Sequence, residues 1–217
     1  MDYILSLETS SQVCSAALHL AGRLVATTCC HGERVHHKVV MKIAHEVLAL
    51  AEVKPADLKA VAVSHGPGSY TGLRIGLAAA KGLAYGLEIP LVTVNTLRLL
   101  AHEGLRSTGH LGEVGALLDA RKGRVYMMKV GPQGEVLQES TVEKVASSKA
   151  LVSLAGTPLY LIGNGAVRYA NLLQERHGVH VIHGCYPQAS HMGRLAYEKY
   201  TQKEWQELSH VAPFYLS

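Results

Sequence analysis

Two stretches hold residues whose types and spacing could do chemistry. The first is Glu8-Thr9-Ser10-Ser11, a carboxylate and three hydroxyls directly after the apolar run YILSL. In a turn, hydroxyls and backbone N–H groups beside an acid can hold phosphate, and the same residues equally make an ordinary turn. The second is HGPGSYTGLRIGLAAAKGLAYGLEIP, residues 65–90, where a Gly-Pro-Gly turn runs into a helical pattern carrying further glycines. Gly-rich turns that open helices often bind phosphate. This one matches neither standard signature: no Lys-Ser or Lys-Thr pair follows its glycines, and the third glycine of a G-x-G-x-x-G run falls one residue late, at Gly72.

Metal and thiol chemistry find little support. Cys14, Cys29, Cys30 and Cys185 have no C-x-x-C spacing, which fits reduced thiols better than a zinc site or a disulfide framework. His31, His36, His37 and His45 lack the i, i+4 spacing of a helical ligand pair and are expected at the surface or as caps. LIGNGA, residues 161–166, is a single Gly-rich turn, expected to be structural rather than an adenine site.

The 217 residues are 48% hydrophobic and 18% charged, a globular balance with capacity for a sizeable core. No secretory leader pattern opens the chain, and Arg74, Lys81 and Glu88 interrupt its longest apolar run. A soluble, cytoplasmic protein with no membrane partner is expected. A net charge of +4 permits an RNA partner without arguing for one, and one Phe and one Trp make a poor base-stacking platform.

The elements that must position these residues follow from periodicity. Strands are predicted at 3–8, 14–20 and 23–29, the last two joined by Ala21-Gly22. A helix over about 35–52, a strand at 59–65, a helix at 70–87, a strand at 90–94 and a helix from Thr96 follow. A second series has strands near 114–120, 124–130, 134–142, 158–163 and 179–183, with helices near 165–176 and 189–204. The segments 4–22 and 115–131 share strand, acid, turn, strand and Gly, which aligns Glu8 with Asp119. This weak internal duplication predicts an α/β, actin-like (ASKHA) fold. It would have two βββαβα-type halves with mixed sheets: 1–105, carrying the interface helices, and a reduced 106–217. Actin-like folds can hold phosphate in the turn after the first strand, which makes Glu8, Thr9, Ser10 and Asp119 candidate cofactor-binding residues.

On a helical wheel, Leu73, Leu77, Ala80, Ala84 and Leu87 make a core face of the glycine-rich helix. Arg74, Lys81, Tyr85 and Glu88 make a polar stripe, and Gly72, Ile75, Gly76, Ala79, Gly82, Leu83 and Gly86 occupy the remaining side. Each helix-interior glycine costs roughly 0.5–1 kcal/mol against Ala, so a close approach by another backbone is expected. The preceding helix carries an apolar arc wider than one sheet face needs. Val40, Met41, Ala44, Leu48, Gly72, Ile75, Gly76, Ala79 and Leu83 are therefore the expected partner interface, acting besides packing inside the domain. Gly76→Leu is expected to block pairing while sparing the fold.

LSLETSS, VSHGPGSYTGLRIGLAAAKGLA, VNTLRLLA, LLDARKGRVY and LIGNGA, in this order, resemble the TsaB (YeaZ) family over most of the chain. The resemblance implies a non-catalytic cytoplasmic subunit for making threonylcarbamoyladenosine in tRNA. It also implies pairing with the larger catalytic paralogue TsaD, joined by the ATPase TsaE, while a separate enzyme makes threonylcarbamoyl-adenylate. The chain would contact tRNA indirectly and form a homodimer when alone. It would bind no cofactor by itself, with ATP or ADP possible in the complex. TsaD carries an H-x-x-x-H metal motif; here Thr96 and Leu100 stand at those positions, and neither replaces imidazole as a ligand. No metal and no catalytic residue is expected. The alternatives are an ATP-dependent phosphotransferase of the actin-like superfamily and, less favoured, a metallopeptidase.

Overall fold

The three opening runs pair as their alternation requires. In the computed structural model, which describes residues 1–32, 35–148, 151 and 157–216, β1 (Tyr3–Glu8), β2 (Val13–Leu20) and β3 (Arg23–His31) form an antiparallel meander. Ala21 and Gly22 turn the β2–β3 hairpin with φ of 48° and 80°, a turn whose twist matches its strands. Two crossovers through α1 (His36–Leu50) and α2 (Tyr70–Gly86) then add β4 (Leu58–Gly66) and β5 (Leu91–Asn95) in parallel. The resulting order is β3-β2-β1-β4-β5.

The pleat sends Leu5, Leu7, Cys14, Ala16, Leu18, Val61 and Val63 to one face, where Val40, Ile43, Ala44 and Val47 of α1 and Leu77, Ala80 and Ala84 of α2 cover them. The opposite face receives the short 3-10 turn Ala189–His191 and α6 (Gly193–Thr201). Ala189 N donates to Ser15 Oγ at 2.9 Å, tying this segment to β2.

The second sheet repeats the plan. It contains β6 (Glu113–Asp119), β7 (Arg124–Val130), β8 (Val136–Lys144), β9 (Leu159–Ile162) and β10 (Val179–Val181). Read from β8, its order is β8-β7-β6-β9-β10, the same sequence of roles as in the first sheet. Val114, Ala116, Leu118, Met128 and Val130 meet Leu97, Leu100, Ala101 and Leu105 of α3 (Thr96–Ser107). Leu117, Val125, Met127, Leu159 and Leu161 face the other way, towards Ala166 of α4 (Asn164–Arg168) and Leu173 of α5 (Ala170–Leu173). Glu8 and Asp119 end the first strand of their respective sheets, as the duplication requires.

Two compact units result: Met1–Thr96 with Pro187–Phe214, and Leu97–Tyr186 with Tyr215–Ser217. This differs from a division at 105/106, because side chains rather than chain order decide it. The apolar stripe of α3 buries on the second sheet, while Gly193 and Ala196 of α6 bury in the first unit. The helix expected over 165–176 is two short helices, interrupted at Tyr169 with φ −111°.

Candidate functional site

The turn after β1 is closed by its own neighbours. Glu8 is fully buried, and Ser10 N donates to its Oε1 at 2.5 Å. Thr9 Oγ1 donates to the Gly72 carbonyl at 2.8 Å, Ser69 N donates to the Ser10 carbonyl at 2.7 Å, and Val13 N donates to Ser11 Oγ at 3.2 Å. His36 Nε2 reaches the Ser11 carbonyl at 2.9 Å. A carbonyl only accepts, so that nitrogen carries the proton; His36 is buried and ties α1 to the first turn, rather than lying at the surface or capping a helix as expected.

This closure explains two of the α2 glycines. A Cβ at Gly72 would collide with the Thr9 carbonyl oxygen, and one at Gly76 with Thr9 Oγ1. The close approach expected of the helix is thus made by the molecule's own first turn. Gly72 and Gly76 are buried there and cannot belong to a partner surface, and Gly76→Leu would disturb the fold rather than spare it.

The same closure bears on the candidate phosphate site. Thr9 and Ser10 are 0% and 3% exposed, and α2 fills the space a phosphate would need. Burial pushes the Glu8 pKa up, against the smaller opposing effects of the Ser10 and Ser64 hydroxyls and the loop amides. Glu8 Oε2, Ser10 Oγ and Ser64 Oγ are all fully buried, and the two hydroxyls have the carboxylate as their neighbour. In the second unit, the Asp119 carboxylate accepts from Arg121 N and from Arg168 Nη1, both at 3.0 Å. In this arrangement the Thr9–Ser10 turn is closed within the first unit, and the Asp119 carboxylate is engaged within the second.

The positions matching the TsaD histidines offer no metal ligands either. Leu100 is wholly buried, and Thr96 offers one buried hydroxyl without a hydrogen-bond partner. Among the described residues, no group of three His, Cys, Asp or Glu side chains is placed to hold a metal ion.

The remaining candidate is the outward side of α1 and α2, which touch each other. Val40, Ala44 and Leu48 are at most 7% exposed and belong to the first unit's core, so their place in the expected interface is corrected. Met41 is 47% exposed, and Ile75, Ala79 and Leu83 are half-buried. Next to these on α2 lie Ala78, Gly82 and Gly86, all exposed, with Tyr85 beside them at 79% exposure. A Cβ added at Gly82 or Gly86 would meet nothing. Their helix cost is offset by no contact among the described residues. Ala78 was missed, although the wheel places it next to Gly82; the true outward face is rotated from the expected one towards the polar stripe.

No helix among the described residues is long and apolar enough to cross a membrane. The family model of TsaD, tRNA N6-adenosine threonylcarbamoyltransferase, matches residues 31–194. A Haemophilus influenzae protein described as tRNA threonylcarbamoyladenosine biosynthesis protein TsaB is 30% identical, covering 98% of this chain and 92% of the relative. A tRNA N6-adenosine threonylcarbamoyltransferase of Symbiobacterium thermophilum is 34% identical over 44% of this chain and 33% of its own length. The solved structure of YeaZ from Pseudomonas aeruginosa superposes with a TM-score of 0.87 at 28% identity, covering 100% of both chains. With the duplicated actin-like plan, a closed first turn and no metal-ligand cluster among the described residues, these similarities are consistent, and the chain belongs to the TsaB (YeaZ) family.

Proposed function

We propose that this chain acts in forming threonylcarbamoyladenosine in tRNA as a non-catalytic scaffold. It pairs with a TsaD-type paralogue through the exposed side of α1 and α2. The Haemophilus influenzae relative is named for that biosynthesis, and the TsaD model matches most of the chain. The observation that carries the reading is the exposed run Ala78, Gly82 and Gly86, flanked on α2 by the half-buried Ile75 and Ala79. Glycines that disfavour the helix and meet nothing let a second helix come close.

The non-catalytic assignment rests on the closed turn at Thr9–Ser10 and on Thr96 and Leu100 at the positions of the TsaD histidines. The chain binds no cofactor by itself, and ATP or ADP belongs to the assembled complex, which the ATPase TsaE joins. Alone, the same face pairs two copies of the chain. The setting is the cytoplasm. A phosphotransferase would require the first turn to open, and a metallopeptidase would require ligands that the described residues do not group together.

Reconstitution tests the proposal. Purified TsaD and TsaE, with threonylcarbamoyl-adenylate and unmodified tRNA, should form the modified nucleoside only when this chain is added. Equal product without it would overturn the assignment.

A further inference from the structure

The tip of the β6–β7 hairpin gathers cations from distant parts of the sequence. Arg121, Lys122 and Arg124 are all exposed, and Arg124 lies directly opposite Lys144 of β8. Val145 N donates to the Gly123 carbonyl at 3.0 Å, holding the Lys144 end against the turn. Asp119 accepts from Arg121 N and binds Arg168, so a fifth cation is fixed at the same end.

Structure alone gives no reason for this arrangement. Like charges directly opposite across a ladder destabilise it, yet Arg124 and Lys144 form such a pair. Arg121 and Lys122 take φ of 64° and 50°, where Asn or Gly is the easier choice. Among the described residues, none of Arg121, Lys122, Arg124 and Lys144 has an acidic side chain within ion-pair distance. The nearby carboxylates are otherwise engaged: Asp119 with Arg168 and the Arg121 amide, Glu143 with Gln138 and Thr141.

We propose that this hairpin tip is a direct contact for the phosphate backbone of a structured RNA. The choice of RNA over another polyanion rests on the function proposed above. Exposed cations without base-stacking aromatics suit sequence-independent phosphate contact, in which released counterions supply the affinity. The chain would then touch its tRNA directly, rather than only through a partner.

The test uses the full chain and an unmodified tRNA transcript, with binding followed by fluorescence anisotropy between 50 and 200 mM salt. R121Q/K122Q/R124Q/K144Q should weaken binding by about tenfold or more at the low-salt end. It should also reduce the slope of log K against log salt by roughly 3. R121N/K122G should give a smaller loss in the same direction; because it eases the left-handed turn, that loss cannot come from unfolding. R23Q/K54Q/K59Q/K203Q removes as many exposed charges elsewhere and should bind within about twofold of wild type. Wild-type affinity and slope in the first variant, or equal losses in the first and third, would overturn the proposal. So would sedimentation with phosphatidylcholine–phosphatidylserine vesicles in the absence of tRNA binding. Size-exclusion with TsaD separates the two readings. Failure of wild type to pair counts against the scaffold, whereas a paired variant that loses tRNA supports the hairpin contact.

Discussion

The Thr9 hydroxyl donates to the Gly72 carbonyl at 2.8 Å, joining residues 63 positions apart. Through it the first turn of the chain and the first turn of α2 act as one unit, and Gly76 lies one helical turn further along against the same threonine. The glycines of α2 accordingly fall into two kinds, and substitution separates them. Gly76→Ala should lower stability by about 1–3 kcal/mol, as overpacking does. Gly82→Ala, placed where nothing is within reach, should raise it by about 0.5–1 kcal/mol through helix propensity. Urea unfolding midpoints read both; equal effects at the two sites would refute the distinction.

Glu8 gives a prediction about charge. Its pKa is raised in the fold, so the native state keeps a proton that the unfolded chain, near 4.5, has lost. Stability attributable to this group is therefore present below about pH 4.5 and falls as pH rises through the folded value. Glu8→Gln keeps the acceptor for Ser10 N and places an uncharged amide beside the buried hydroxyls of Ser10 and Ser64. The variant should be more stable than wild type at pH 7 by roughly 1 kcal/mol, with the difference disappearing towards pH 4. A less stable variant at pH 7 would show that the carboxylate is supported by contacts this account lacks.

Two histidines act in the opposite direction. Burial lowers the pKa of His19, whose Nδ1 meets Ser6 Oγ at 3.1 Å and whose Nε2 meets the Ser190 carbonyl at 3.3 Å. Burial also lowers that of His65, whose Nδ1 donates to the Val94 carbonyl at 3.1 Å. Both resist protonation in the fold while the unfolded imidazoles take up protons below about 6.5, so stability falls as pH drops through that range. His65→Asn retains a donor for Val94 and removes one titrating group. Its stability should fall less steeply than wild type between pH 6.5 and 5, by at most about 1.4 kcal/mol per pH unit. An unchanged slope would remove His65 from the account.

Much of this architecture was legible in the chain. Strand alternation in YILSLE and CSAALHL, and the matched acids Glu8 and Asp119, foretold two like mixed sheets, each a meander extended by parallel crossovers; the strand order came from the structure. The exchange of terminal helices was not, because an apolar stripe such as Leu97, Leu100, Ala101 and Leu105 states that it is buried without naming the sheet that buries it. The proposed interface was half-legible for a related reason. The excess of small residues on α2 was visible, but whether Gly76 or Gly82 faces outward depends on where Thr9 arrives from a distant part of the chain. The hairpin cations do not form a group in the sequence, because Lys144 joins Arg124 only through strand register.

The central claim is that the outward side of α1 and α2, around Gly82, docks a TsaD-type partner. Sedimentation velocity of an equimolar mixture with TsaD tests it most directly, using Gly82→Arg, which points into open space and leaves the buried glycines untouched. The account predicts a complex with wild type and with Lys203→Gln, and separate species with Gly82→Arg, whose own unfolding midpoint stays close to wild type. An undiminished complex with Gly82→Arg would contradict it.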